Sequence, residues 1–269
     1  MNGLLQEILA YKETELKGLD APALQRAAAA APPPRDFLAA ISRGTFDLPP
    51  RLIAELKLAS PSRGMLAPEL DIKETAGIYA ENGASAISVL TDKKFFHGRL
   101  ESLRKLRFAC QSPLPLLRKD FIIAESQLYE SRANGADAVL LIVAAFSDDG
   151  LLAGLHDLAL ELGLTPLVEI HDERESERAL RLQRLRLIGI NNRDLSTFRI
   201  SLETTERLRP LIPPGIRVIS ESGISGRRDV ERLTECNIDA MLVGEALVTA
   251  PNIAAKVREL AGVSVESHD

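Results

Sequence analysis

Ile53-Ala-Glu-Leu-Lys-Leu-Ala-Ser-Pro-Ser-Arg-Gly64 begins as a strand and ends as a turn. Side chains alternate along a strand, so Glu55 and Lys57 share one face while Ala54, Leu56 and Leu58 share the other. Two charges on one face of an apolar strand are costly to bury, because an ion taken from water loses hydration that only a partner or ligand restores. Two readings fit this stretch alone. One is a Glu–Lys pair satisfying itself on an exposed edge; the other is a strand end that enters a functional site.

The rest of the chain decides what kind of strand this is. Apolar, β-branched runs fall at 52–57, 85–90, 114–118, 137–143, 165–170, 186–190, 216–220 and 238–243. Charged segments of helical period lie between and after them, at 71–82, 99–109, 125–134, 148–162, 172–183, 201–210, 226–236 and 251–261. The repeat of about twenty to thirty residues is what a βα unit requires. Helix-to-strand joints carry glycine where a helix should end, as in Asn82-Gly83, Asn134-Gly135 and Gly163. Eight strands, each followed by a helix, predict an α/β fold of the (β/α)8 TIM-barrel type. A doubly wound open sheet is the rival, but its glycine-rich fingerprint is missing after the first strand. Ahead of the repeat, residues 2–19 carry Leu4, Leu5, Ile8 and Leu9 at helical spacing, Pro32-Pro-Pro34 stops any helix before it, and a short helix is expected over Arg35–Ser42. The expected organisation is one domain over 1–269, with a helical extension at 1–50 and eight βα units at 51–269.

Composition narrows the function classes. With 45% apolar and 26% charged residues the chain reads as an ordinary globular protein, and a net charge of −5 argues against a nucleic-acid partner. Cys110 and Cys236 have no metal or redox spacing and read as inert thiols. The apolar run Ala138–Phe146 is too short to cross a bilayer, and Glu7, Lys12, Glu13 and Glu15 interrupt any signal-peptide core. A cytoplasmic protein with no membrane contact is expected, as a monomer or at most a weak homodimer.

A barrel of this kind builds its active site at the C-terminal ends of its strands. There the sequence carries Glu55, Lys57 and Ser60; then Ser88-Val-Leu-Thr-Asp92 and Phe96; then Lys119 and Phe121. Glu169, Asn191-Asn-Arg-Asp194, Ser220-Glu-Ser-Gly223 and Val243-Gly-Glu245 follow, whereas the opposite strand ends read as apolar or small. Ser222-Gly223 and Gly244, after the seventh and eighth strands, let backbone N–H groups approach an anion, and Arg193 at the end of the sixth can fork onto the same anion. Lysines 57 and 119 with glutamates 55 and 169, beside a phosphate cradle, describe acid–base chemistry on an anionic, phosphorylated small molecule. His97, His156, His171 and His268 lack metal spacing and read as surface or packing histidines, with His171 alone sharing a face with Glu169.

Six motifs in this order resemble indole-3-glycerol-phosphate synthases: Glu55-x-Lys57-x-x-Ser60-Pro-Ser-x-Gly64; Ser88-Val-Leu-Thr-Asp92 with Phe-Phe-x-Gly98; Leu117-Arg-Lys-Asp-Phe-Ile122; Gly135-Ala-Asp-Ala-Val-Leu-Leu-Ile142; Ile190-Asn-Asn-Arg-Asp-Leu195; and Ser220-Glu-Ser-Gly-Ile224. The likeness runs from about residue 35 to 250. It implies a barrel enzyme of tryptophan biosynthesis, with N-terminal helices over the barrel, that works without metal or organic cofactor. It also implies that Lys119 protonates or polarises a ketone, and that Lys57 holds the substrate carboxylate and serves as a second proton donor. Glu55 and Glu169 would be the acid–base glutamates, with Asn191 and Glu221 as polar pocket groups. Ser60, Arg193, Ser222, Gly223 and Gly244 would hold phosphate, and Phe96, Phe121 and Leu195 would wall the aromatic ring. Two positions depart from the family pattern: Leu58 stands where a basic residue is common, and Glu245 where some members have serine. A carboxylate beside phosphate is unfavourable, so Glu245 is expected to offer its backbone N–H and turn its side chain away. Phosphoribosylanthranilate isomerases share the phosphate site but use a cysteine at the first strand end, where this chain has none. A barrel kept only for binding should have lost an inward charge, and Glu55, Lys57, Lys119 and Glu169 are all present.

Overall fold

The computed structural model describes residues 3–45, 48–61, 63–195 and 197–263. Eight parallel strands close into a barrel: β1 Arg51–Leu56, β2 Ala86–Leu90, β3 Leu116–Lys119, β4 Ala138–Ile142, β5 Thr165–Ile170, β6 Leu187–Asn191, β7 Arg217–Glu221 and β8 Ala240–Val243. Closure is by β1 against β8, with Arg51 opposite Ala240 and Ala54 opposite Val243. Helices follow the strands, among them Ile72–Glu81, Glu125–Ala133, Asp149–Glu161, Glu173–Ala179 and Arg227–Glu235. Asp71, Asp148 and Asp172 cap three of these helices by accepting N–H bonds of the first turn, which fixes where each loop ends.

The period-two pattern sorts side chains into two cores. Ala54, Leu56, Ile87, Val89, Leu116, Val139 and Leu141 point outward into the shell of helices. Ile53, Ala86, Leu117, Ala138, Leu167, Leu187, Ile219 and Ala240 fill the barrel interior. The interior is layered, as expected when four side chains from alternate strands share one level. Ile53, Leu117, Leu167 and Ile219 form an apolar layer from the odd strands, and two residues further along those strands stand Glu55, Lys119, Glu169 and Glu221. One step of the chain therefore turns a hydrocarbon floor into a charged one.

The N-terminal segment serves both ends of the barrel. Helix α1, Gly3–Leu16, contributes Leu4, Leu5 and Ile8 to the cavity at the C-terminal mouth. Helix α2, Ala21–Ala30, is capped by Asp20 and packs along helix Glu125–Ala133. Helix α3, Phe37–Ile41, drives Phe37, Leu38 and Ile41 into the interior cluster from the opposite end. That opposite end differs from the apolar-or-small reading of the sequence. Asp137 and Asp239, which immediately precede β4 and β8, are buried there. Asp137 accepts the N–H groups of Arg35 (2.6 Å) and Leu116 (2.8 Å) and meets Arg107 at 3.2 Å, while Asp239 accepts that of Val218 (2.9 Å) and meets Arg217 at 3.0 Å. Each carboxylate joins neighbouring strand starts that would otherwise leave buried N–H groups unpaired.

Candidate active site

A cavity of about 440 Å³ opens at the C-terminal ends of the strands. Every residue assigned a catalytic or substrate-binding role from the sequence lines it. Its floor is the charged layer. The Lys119 ammonium lies 3.2 Å from Glu221 Oε2 and 3.4 Å from Glu169 Oε2, and Lys57 Nζ lies 3.5 Å from Glu55 Oε1. Ser88 donates to Glu55 Oε2 at 3.4 Å. Asn191 Oδ1 accepts from Ser222 Oγ at 2.9 Å and from the Arg193 N–H at 3.0 Å, which ties the loops after β6 and β7 together.

The electrostatics follow from three carboxylates sharing this floor with Lys119. Burial by itself would lower the Lys119 pKa, but Glu221, Glu169 and Glu55 outweigh it and push the value up, so the group stays an ammonium. Glu221 is raised to about 7 by burial and by repulsion from Glu169 and Glu55, which Lys119 only partly offsets. Glu169 moves the other way: burial would raise it, but Lys119 and then His171 hold it well below the usual carboxylate range. Adjacent carboxylates whose environments drive their protonation apart are the usual mark of divided acid and base roles.

Two glycines make room for this floor. A Cβ on Gly189 of β6 would stand 2.3 Å from Glu221 Oε1, and one on Gly244 after β8 would stand 2.5 Å from Glu55 Oε1. Neither carboxylate could hold its position against an alanine there.

The rim of the cavity is of a different character. Ser60 sits in a short hairpin, Ala59–Ser60 paired with Gly64–Met65, and its buried hydroxyl has no hydrogen-bond partner among the described residues. Ser222 (φ +69°) and Gly223 (φ +81°) turn the chain through two successive left-handed residues after β7. Arg193 does not end β6 as the sequence suggested; the strand stops at Asn191, and Arg193 is held two residues later in a bridge to Ile200. Glu245 answers the question raised by its charge. Its Oε1 is 3.0 Å from Arg63 Nη1 of the hairpin, so the carboxylate is neutralised by a neighbour at the rim. Phe96 and Phe121 face each other with ring centroids 6.1 Å apart and, with Leu195, form an apolar wall.

Three groups at the site do more than the sequence reading gave them. His171 follows β5 directly and contacts Glu169 and Glu175, whereas His156 is the buried packing histidine expected and His97 is exposed; His268 lies outside the described residues. Asn192 is buried and donates to Ser220 Oγ (2.9 Å), Glu221 O and Ser222 O (both 3.0 Å), so it shapes the loop after β7 from behind. Lys12 of α1 is buried against Asp92 and Asp120, at 2.9 and 2.8 Å. Its signal is visible in retrospect, since position 12 shares the helical stripe of Leu5 and Ile8. Among the described residues no group of three or more His, Cys, Asp or Glu is arranged to hold a metal ion, and no helix is long and apolar enough to cross a membrane.

A family model described as indole-3-glycerol phosphate synthase matches residues 5–260. The indole-3-glycerol phosphate synthase of Dehalococcoides mccartyi (strain ATCC BAA-2266 / KCTC 15142 / 195) is 57% identical over 211 residues, covering 78% of this chain and 81% of its own. That of Roseiflexus castenholzii is 50% identical over 272 residues, covering 97% of this chain and 99% of its own. Among solved structures, a 3-hexulose-6-phosphate synthase from Salmonella typhimurium superposes with a TM-score of 0.60 at 16% identity, over 79% of this chain and 97% of the other, a likeness of fold alone.

Proposed function

The chain belongs to the indole-3-glycerol phosphate synthase family, and from that footing we propose how its residues divide the reaction. The enzyme is a carboxy-lyase of tryptophan biosynthesis. It closes the indole ring of 1-(2-carboxyphenylamino)-1-deoxyribulose 5-phosphate and releases carbon dioxide and water. In that closure the aromatic carbon bearing the carboxylate attacks the ketone carbon, so negative charge develops on the ketone oxygen. Loss of CO2 restores the aromatic ring, and the new hydroxyl then leaves with a proton from the neighbouring methylene. These steps call for a cation at the ketone oxygen, another at the carboxylate, an acid for the leaving hydroxyl and a base for the methylene proton.

The observation that carries the assignment is the Lys119 ammonium gripped between Glu169 and Glu221 on the cavity floor. Lys119 polarises the ketone and gives up its proton as the far more basic alkoxide forms. Lys57 holds the substrate carboxylate and acts as the second proton donor, exchanging with Glu55 at 3.5 Å. Glu169 and Glu55 take the acid–base roles. Glu221, titrating near 7, can receive and return a proton at neutral pH, and Asn191 hydrogen-bonds within the polar pocket. The phosphate is held by Ser60, Arg193, Ser222, Gly223 and Gly244 with the Glu245 backbone N–H; the unpartnered Ser60 hydroxyl supports this, being a buried donor in want of an acceptor. Phe96, Phe121 and Leu195 stack against the aromatic ring.

We also read residues 1–50 as an extension covering a single barrel domain, supported by the contribution of Leu4, Leu5 and Ile8 to the cavity. A monomer suffices for the chemistry, because every group given a role comes from this chain, and a cytoplasmic location suits a phosphorylated substrate that does not cross membranes unaided. The test is continuous indole fluorescence with the carboxyphenylamino substrate. The wild-type protein should yield product, and Lys119→Met should lose at least ~10²-fold in kcat while still binding substrate. A near-wild-type rate for that variant would remove Lys119 from its role.

A further inference from the structure

The His171 ring lies between two carboxylates. Its Nε2 is 3.3 Å from Glu169 Oε1, the oxygen that does not pair with Lys119, and its Nδ1 is 2.9 Å from Glu175 Oε2. The His171 backbone N–H donates to the same Glu175 oxygen at 2.8 Å, which locks the outer contact. Glu175 is set in turn by Asp172, whose side chain accepts the Glu175 N–H at 2.8 Å. A neutral imidazole has one donor and one acceptor nitrogen, and an ionised carboxylate can only accept. The Nδ1 contact is a hydrogen bond and the Nε2 contact a close ion pair, and carboxylates on both sides favour the doubly protonated ring.

We propose that His171 is a positioning residue for the ring closure, an imidazolium bridging Glu175 and Glu169 that holds the Glu169 carboxylate turned toward Lys119. The proposal rests on the acid–base role given to Glu169 above. Glu169 then sits between two cations, Lys119 at 3.4 Å on Oε2 and His171 at 3.3 Å on Oε1. Neither oxygen is free to rotate away without losing an ion pair in a buried site, so the carboxylate is held in one orientation through the reaction. The charged groups around the imidazole are Glu169 and Glu175, with Lys119 and Glu221 beyond Glu169 and Asp172 engaged with the helix backbone. Burial alone would favour the neutral ring, but the two carboxylates outweigh it and raise the His171 pKa to about 10, so the bridge persists across the neutral range.

Two measurements test this. In wild-type protein, ring 15N chemical shifts should report both His171 nitrogens protonated at pH 7 to 8; a neutral ring there overturns the proposal, whatever the activity. Steady-state kinetics of His171→Gln should give an unchanged KM and a kcat lower by at least ~10-fold, because one oxygen of Glu169 loses its cation and the carboxylate can turn from Lys119. Glu169 starts well below the usual carboxylate range, so it stays ionised after this loss and kcat should fall alike at pH 6 and pH 8. His171→Lys, which returns the charge, should recover kcat. An unchanged kcat, or a loss that His171→Lys does not recover, would make His171 a structural spacer and overturn the proposal. Should His171→Gln fail to fold, Glu175→Gln removes the outer carboxylate, and its ring 15N titration should fall toward the ordinary histidine range; an unmoved titration overturns the bridge. A wild-type protein that forms no indole would instead defeat the functional reading and leave the 15N result to stand by itself.

Discussion

Replacing Lys12 by methionine should release α1 from the barrel mouth and leave the barrel folded. Lys12 is 2% exposed, and its ammonium lies 2.8 Å from Glu15 Oε2 and Asp120 Oδ1 and 2.9 Å from Asp92 Oδ2. Both aspartates already organise the loops that carry the apolar wall. Asp92 Oδ1 accepts the N–H groups of Phe95 (2.7 Å) and Phe96 (3.1 Å), and Asp120 Oδ1 accepts that of Phe121 (2.8 Å). Methionine keeps the volume and removes the charge, which leaves Asp92 without its cation and Asp120 with Arg118 alone. Losing one partner of a buried ion pair costs about 3–5 kcal/mol. A second route gives a smaller figure. Burial would raise the Asp120 pKa, but Arg118 and Lys12 pull it from 3.8 to about 2, which is worth about 2–3 kcal/mol shared between the two cations. The sign follows: this stabilisation is present above pH 3.8 and is lost as the pH falls through about 2.

The loss is capped by what holds α1 down. Leu5 and Ile8 are its fully buried apolar side chains, worth about 1.5–3 kcal/mol each. A deficit of the same size is relieved most cheaply by lifting the helix, which lets Asp92 and Asp120 hydrate. Hydrogen exchange read by mass spectrometry should therefore report protection in residues 3–16 falling by about 10²–10³-fold, with strand amides changed far less. KM should rise, because Leu4, Leu5 and Ile8 line the cavity. Adding Asp92→Asn, which keeps an acceptor for Phe95 and Phe96 but removes the stranded charge, should recover part of the protection. Unchanged exchange in α1, or an equal loss across the barrel, would refute the pinning argument.

The remaining expectations concern the cavity itself. Arg193→Ala should raise KM much more than it lowers kcat, since a phosphate contact stabilises ground and transition states alike; steady-state kinetics with an unchanged KM would count against that contact. Gly244→Ala would set a Cβ 2.5 Å from Glu55 Oε1 and 3.2 Å from Glu55 Cβ, so it should cost about 1–3 kcal/mol in thermal stability and move Glu55 off Lys57, with kcat falling at least ~10-fold. Wild-type kinetics in that variant would mean that Glu55 does not need its present position.

The barrel was legible because its signal is local. Period two in β1 sets Glu55 inward and Ala54 and Leu56 outward whatever the strand later packs against, and the same rule holds for Lys119, Glu169 and Glu221. Asp137 and Asp239 were misread for the converse reason: a charge just before a strand signals nothing until a neighbouring strand presents an unpaired N–H to it. His171 was undervalued because its meaning lies in Glu175, one helical turn into the next element, and in the side of Glu169 left open by Lys119.

By itself the sequence determined the order and type of the elements, the end of the barrel at which the cavity opens, and the residues given roles there. Periodicity and strand-end composition are properties of neighbouring residues, and they survive without knowledge of the fold. Only the tertiary structure decided which charges meet. Lys119 stands between Glu169 and Glu221 while Lys57 pairs with Glu55, and Lys12 reaches across from α1 to Asp92 and Asp120. Those pairings depend on the curvature and stagger of a closed sheet, which bring groups from distant parts of the chain within a few ångströms, and no local pattern encodes that distance.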